Sequence, residues 1–184
     1  MLFTDAYNAL VNHLDTMDIV DSHEHLPAET SRVSRTVDFS ELFSHYVRGD
    51  LLSAGMQPPD VDAFYAPDTP LARKWALFEP WYAFVQDGAY CRAAHLAMER
   101  FYEMPRLTSL GDAERLTDIM RKANQPGLYH KVLVEACGIR KSMNFGSLDD
   151  DPVFFAPVIF VTRYAEEFSR SHIQAIEDHT GCSC

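Results

Sequence analysis

The chain has 184 residues, 47% of them apolar, enough to bury a sizeable core in nominally one domain, 1–184. A formal net charge of −11, from 16 Lys and Arg against 27 Asp and Glu, with no basic run, excludes a nucleic-acid or anionic-membrane surface and leaves small molecules as the expected partners. Asp5 stands where a secretory signal needs positive charge, no 18-residue apolar window exists, and Cys91, Cys137, Cys182 and Cys184 form neither a disulfide framework nor a paired zinc pattern, so a cytoplasmic location is expected, while oligomeric state is left open.

Residues 4–17 place Ala6, Leu10, Val11, Leu14 and Met17 on one helical face, and this helix feeds a short β-type run, Ile19-Val20-Asp21. A polar, irregular segment follows Pro27. Asp38 with Glu41 three residues later is a capping-box-like start to a second helix. Its stripe of Phe39, Leu42, Phe43, Tyr46 and Val47 runs to about Ala54, and Gly55 stops it. Pro58, Pro59 and Pro67 break the next stretch into short pieces. Residues 70–102 predict two or three aromatic-rich helices, interrupted near Pro80 and at Asp87-Gly88, with Trp75, Trp81 and Tyr82 packing the helices together. Further helices are predicted over 112–123, stopped by Gln125-Pro126-Gly127, and over 128–136, closed by Gly138. Strand character returns over 139–145 and, after an acidic turn-rich loop at 146–152, over 158–162, because Pro157 limits the second strand. A helix from Arg163 to about Asp178 closes the pattern.

Strands separated by helical crossovers indicate parallel pairing and an α/β class. Three strands close no sheet. The expected architecture is therefore an incomplete (β/α)8 barrel-like fold, the front part of a larger barrel, with a large helical insertion at about 28–138 after the first strand.

Chemistry concentrates in Asp18–Pro27, DIVDSHEHLP. Side chains alternate along an extended segment, so His23 and His25 point the same way and both imidazoles can reach one metal ion. In a chain with eight histidines an H-x-H spacing also arises by chance, and its place at the end of a predicted strand is what gives it weight. Alternation puts Glu24 on the opposite face, and Asp21 on the histidines' face one layer deeper, where a carboxylate can orient an imidazole. Arg92 and, with the better position at a strand end, Arg163 are candidate anchors for a substrate carboxylate.

DIVDSHEHLP resembles the first-strand motif of the amidohydrolase superfamily, metal-dependent enzymes in which an H-x-H pair binds one or two divalent ions. The resemblance implies a metal-dependent hydrolase acting on a small polar substrate through a metal-activated water, with His23 and His25 holding zinc, or manganese. The long helical insertion and the His45-Tyr46 pair in SHYVRGDLLSAG resemble the uronate isomerase branch, although Val47-Arg48 depart from its Lys-Trp. Carried over, His45 and Tyr46 bind the substrate, a carboxylate or sugar acid, while the apolar stripe of their helix offers burial as the plain explanation of Tyr46. In that family the remaining ligands and the general base come from later strands, so the chain reads as an N-terminal part that binds metal weakly and does not turn over alone. Two other readings stand beside the hydrolase: an aldose–ketose isomerase of sugar acids, and a non-catalytic helical domain with incidental histidines.

Overall fold

The computed structural model describes residues 2–145, 154–158 and 169–182. In chain order its elements are α1 (Leu2–Asp15), β1 (Ile19–Glu24), α2 (Glu29–Ser34), a 3₁₀ turn (Phe39–Phe43), α3 (Tyr46–Ala54), α4 (Pro58–Tyr65), α5 (Leu71–Val85), α6 (Ala89–Tyr102), α7 (Leu110–Ala123), a π-helix (His130–Ala136), β2 (Ile139–Asn144), β3 (Phe155–Pro157) and α8 (Arg170–Thr180). The chain divides into two compact units, Met1–Glu29 with Tyr129–Cys184, and Thr30–Leu128. No described helix is long and apolar enough to cross a membrane.

In the first unit, the described residues hold one parallel sheet in the order β1-β2-β3. Asp21 pairs with Ser142 and Glu24 with Asn144, so three steps along β1 match two along β2. That extra residue is a bulge around Ser22-His23, a device that re-aims side chains at a strand end. The buried face of β2 is polar: Ser142 and Asn144 are almost fully covered while Met143 is exposed. Pro157 is the last residue of β3 on the sheet edge, where a missing N–H is tolerated. The strand expected over 158–162 and the start of the expected helix at Arg163 lie outside the described residues, apart from Val158.

The second unit is all helical. The expected single helix over 39–54 is broken in two at Ser44-His45. Asp38 does cap its start, accepting from the Ser40 N–H at 2.9 Å, but Glu41 turns to Arg35 (2.8 Å) instead of reaching back to the cap. Gly55 ends α3 in the left-handed region, at φ 116°. The Met56 N–H donates to the Leu51 carbonyl (3.0 Å) and the Gly55 N–H to the Leu52 carbonyl (3.1 Å). A Cβ at Gly55 would stand 3.0 Å from the Trp81 ring. Pro58 and Pro59 do not break α4 but open it, since a first-turn residue needs no N–H partner. α5 runs through Pro80, which sits on its exposed face.

The core of this unit is aromatic and centred on Phe78, which is wholly buried. Its ring stacks on Phe64 (4.8 Å, 2°) and Tyr82 (4.9 Å, 27°) and meets Phe43 at 5.0 Å. Trp75, Phe39, Leu51, Met98 and Leu116 fill the remaining space. Beside it, the Tyr82 hydroxyl lies 2.6 Å from His95 Nε2. Burial holds the His95 pKa below the ordinary histidine range, with Arg106 adding to the shift and Asp87 opposing it, and burial pushes Tyr82 up to about 12.

These observations correct the expected fold class. The described residues are mostly helical with one small three-stranded sheet, and do not form an incomplete (β/α)8 barrel. The helices of the Thr30–Leu128 unit bury their apolar faces on one another, in a core of their own running from Val37 to Met120. Barrel strands are covered on both faces, whereas Ile19 and Val20 of β1 are exposed.

Two measurements check this packing. Phe78→Ala should cost about 3–5 kcal/mol in urea unfolding, the usual loss for a large buried aromatic. The unfolded chain takes up a proton on His95 near pH 6.5 and the folded chain only below that, so the stability tied to neutral His95 is complete above about pH 6.5 and declines as pH falls. The urea midpoint should drop between about pH 7.5 and about pH 5.5, and drop less in His95→Gln.

Candidate functional site

The first unit brings His23 and His25 together. Their Nε2 atoms are 2.9 Å apart and the rings meet at 74°. Phe145, just past β2, lies against both, with centroids 4.4 Å from His23 and 5.6 Å from His25. The backbone carrying the pair is pinned from several sides. Phe145 N–H donates to the Glu24 carbonyl (2.7 Å), Asn144 Nδ2 to the Leu26 carbonyl (3.0 Å) and the Tyr129 hydroxyl to the Pro27 carbonyl (2.8 Å). Asp21 does not reach an imidazole. Its Oδ1 accepts from the His23 N–H (3.2 Å) and its Oδ2 from the Ser142 hydroxyl (3.0 Å), so it orients the strand and not the ring. Glu24 accepts from the His25 N–H at 2.8 Å.

Two nitrogens on one tetrahedral zinc, each at about 2.0–2.1 Å, stand about 3.3 Å apart. The observed spacing is within a few tenths of an ångström of that, both rings are exposed, and neutral imidazole is the commonest ligand of such an ion. The pair fits two positions of a metal site. Among the described residues no third His, Cys, Asp or Glu completes a group of three.

The second unit holds His45 and Tyr46. His45 has φ 57° and ψ −112°, a backbone state that costs a residue with a side chain about 1–3 kcal/mol. It borders a cleft of about 390 Å³ together with Arg35, Ser40, Glu41, Ser44, Arg48 and Tyr65. Arg35 pairs with Glu41, and Arg48 with Asp62 at 2.6 Å while lying 5.7 Å over the Tyr65 ring. The Tyr65 hydroxyl donates to the Phe43 carbonyl (2.6 Å), and burial raises its pKa. Beneath the cleft, buried Lys74 donates to Asp38 (2.7 Å) and to Ser40 Oγ (3.2 Å). Tyr46 is not buried on its helix stripe. It is 60% exposed, lies 4.3 Å from the His45 ring and stacks on Tyr90 at 4.7 Å.

Of the other candidates, Arg92 is exposed on α6 and Arg163 lies outside the described residues. Sequence reasoning missed Phe145, Ser142, Asn144, Arg35, Arg48 and Tyr90. The one signal within reach was Ser142 and Asn144, two polar residues alternating in a strand. Compared with protein-family models, curated proteins and solved structures, the chain matches none.

The strain at His45 is measurable. Replacing it with glycine removes about 1–3 kcal/mol of strain against about 0.4–1 kcal/mol of added unfolded-chain entropy, so His45→Gly should raise unfolding stability by roughly 1 kcal/mol. His45→Val should lower it in the same urea titration.

Proposed function

We propose that this protein is a metal-dependent hydrolase of the amidohydrolase type, in which His23 and His25 hold a divalent ion, zinc or manganese, beside a small polar substrate. The observation that carries this reading is the convergence of the two Nε2 atoms at 2.9 Å, at the carboxyl end of a strand in a parallel sheet. Sheets of parallel strands place their ligands just beyond that end. The likeness of DIVDSHEHLP to the amidohydrolase first-strand motif supports it.

A divalent ion held by His23 and His25 would supply the Lewis acidity that hydrolysis of a carbonyl substrate needs. The chain's own part is positional. The bulge and the hydrogen bonds from Phe145, Asn144 and Tyr129 fix the backbone on both sides of the pair, and the Phe145 ring limits how the imidazoles turn. Asp21 and Glu24 are engaged with backbone N–H groups, so the reading assigns neither as the proton acceptor.

A second reading is a uronate isomerase-like aldose–ketose isomerase of sugar acids. It is favoured by Tyr46, which stands exposed beside a strained His45 where simple core packing would have buried it.

Metal content decides between the metalloenzyme readings and a helical domain with incidental histidines. Elemental analysis and calorimetry with Zn²⁺ and Mn²⁺ should show one bound ion, weakened at least about tenfold in His23→Ala or His25→Ala and lost in the double variant. Unchanged metal content in the double variant would sink the proposal.

A further inference from the structure

We propose that the groove around His45 binds a small carboxylate carried on a flat aromatic ring, with Arg35 and Arg48 taking the carboxylate and the Tyr46–Tyr90 stack receiving the ring. The proposal uses only residues of the Thr30–Leu128 unit and needs no metal, so it stands independently of the His23–His25 reading.

The charged end comes first. Arg35 follows α2 and Arg48 lies in α3, yet both border one cleft with His45 and Ser44. Each guanidinium is engaged through Nη2 with a surface carboxylate, Glu41 or Asp62. Ion pairs this exposed hold little free energy, because water screens them and long side chains lose freedom in forming them. An incoming carboxylate can share or replace them, and guanidinium's planar fork of donors suits it better than any other side chain.

The ring end adjoins it. A second hollow, of about 340 Å³, shares Glu41, Ser44 and His45 with the first and is walled by Tyr46, Tyr90, Ala93 and Ala97. Tyr46 and Tyr90 lie nearly parallel, at 21°, yet keep 60% and 46% of their surface open to solvent. The alanines of α6 leave room beside them. A flat ring gains both apolar burial and offset stacking against such a pair. Charge at one end and a stack at the other define a ligand with both parts, and His45 lines the passage between them.

The test uses the whole chain in excess EDTA, so that the histidine pair cannot contribute through a metal. 3-Phenylpropionate is titrated by NMR at millimolar concentration, with propionate as the charge-only probe and 3-phenylpropanamide as the ring-only probe. The acid with the ring should bind at least about tenfold tighter than either. Arg48→Gln should abolish the preference for acid over amide, and Tyr90→Ala the preference for ring over propionate, while Tyr90→Phe retains it. His23→Ala should change nothing. Near-UV circular dichroism of each variant confirms that the aromatic core is intact. Equal binding of acid and amide, equal binding of propionate, or no binding at all would overturn the proposal. Glucuronate displacing 3-phenylpropionate at lower concentration would also overturn it, returning the groove to the sugar-acid reading.

Discussion

The helical unit depends on one buried cation. Lys74 is 1% exposed, and its ammonium is held by Asp38 and Ser40 inside a core of aromatic rings. A charge in that setting persists only if its partner stays charged too. Burial alone would push the Asp38 pKa up, but Lys74 and the two Ser40 donors outweigh it and hold the carboxyl below its ordinary range. Breaking such a pair from one side costs about 3–5 kcal/mol, because the remaining charge has no water to fall back on. The geometric consequence is larger than the energetic one. Asp38 is also the cap of the 3₁₀ turn, so tying it to α5 sets where Phe39 and Phe43 enter the core and where Ser44 and His45 leave it.

The two units are held by different forces. The helical one is a packed aromatic solid in which Phe78 touches rings from the 3₁₀ turn, α4 and α5 itself. In the sheet unit Phe3, Tyr7, Leu10 and Leu14 of α1 are all exposed, while Phe155 of β3 is buried. What orders the histidine pair there is a set of hydrogen bonds running from β2 and Tyr129 to the stretch between Asp21 and Glu29. This explains why the buried side of β2 is Ser142 and Asn144, against every expectation of an apolar face.

Local features were legible and distant ones were not. Gly55 as a helix stop, the helix ending at Ala123 and the strand beginning at Ile139 follow from nearest-neighbour chemistry, and the structure has all three. The break at Ser44-His45 was hidden because the apolar spacing runs straight across it, and the extended Ser44 and positive-φ His45 leave no trace in that spacing. Alternating helices and strands suggested a barrel because the order of elements says nothing about which faces they bury. The same limit applies to the sites. H-x-H is visible as a word, whereas Phe145 joins it, and Tyr90 joins Tyr46, from positions far along the chain.

Gly55 has a consequence for how this sequence can change over time. Its φ of 116° strains any side chain on backbone grounds, and the Trp81 ring, 3.0 Å from where a Cβ would stand, crowds it on spatial grounds. Relieving one constraint leaves the other in force: shrinking Trp81 opens space but not the dihedral, and shifting the backbone would undo the paired hydrogen bonds that end α3. Every single substitution of Gly55 meets both costs at once, so drift elsewhere in α3 and α5 is cheaper than drift at this point, and changes at Trp81 relieve only one of the two.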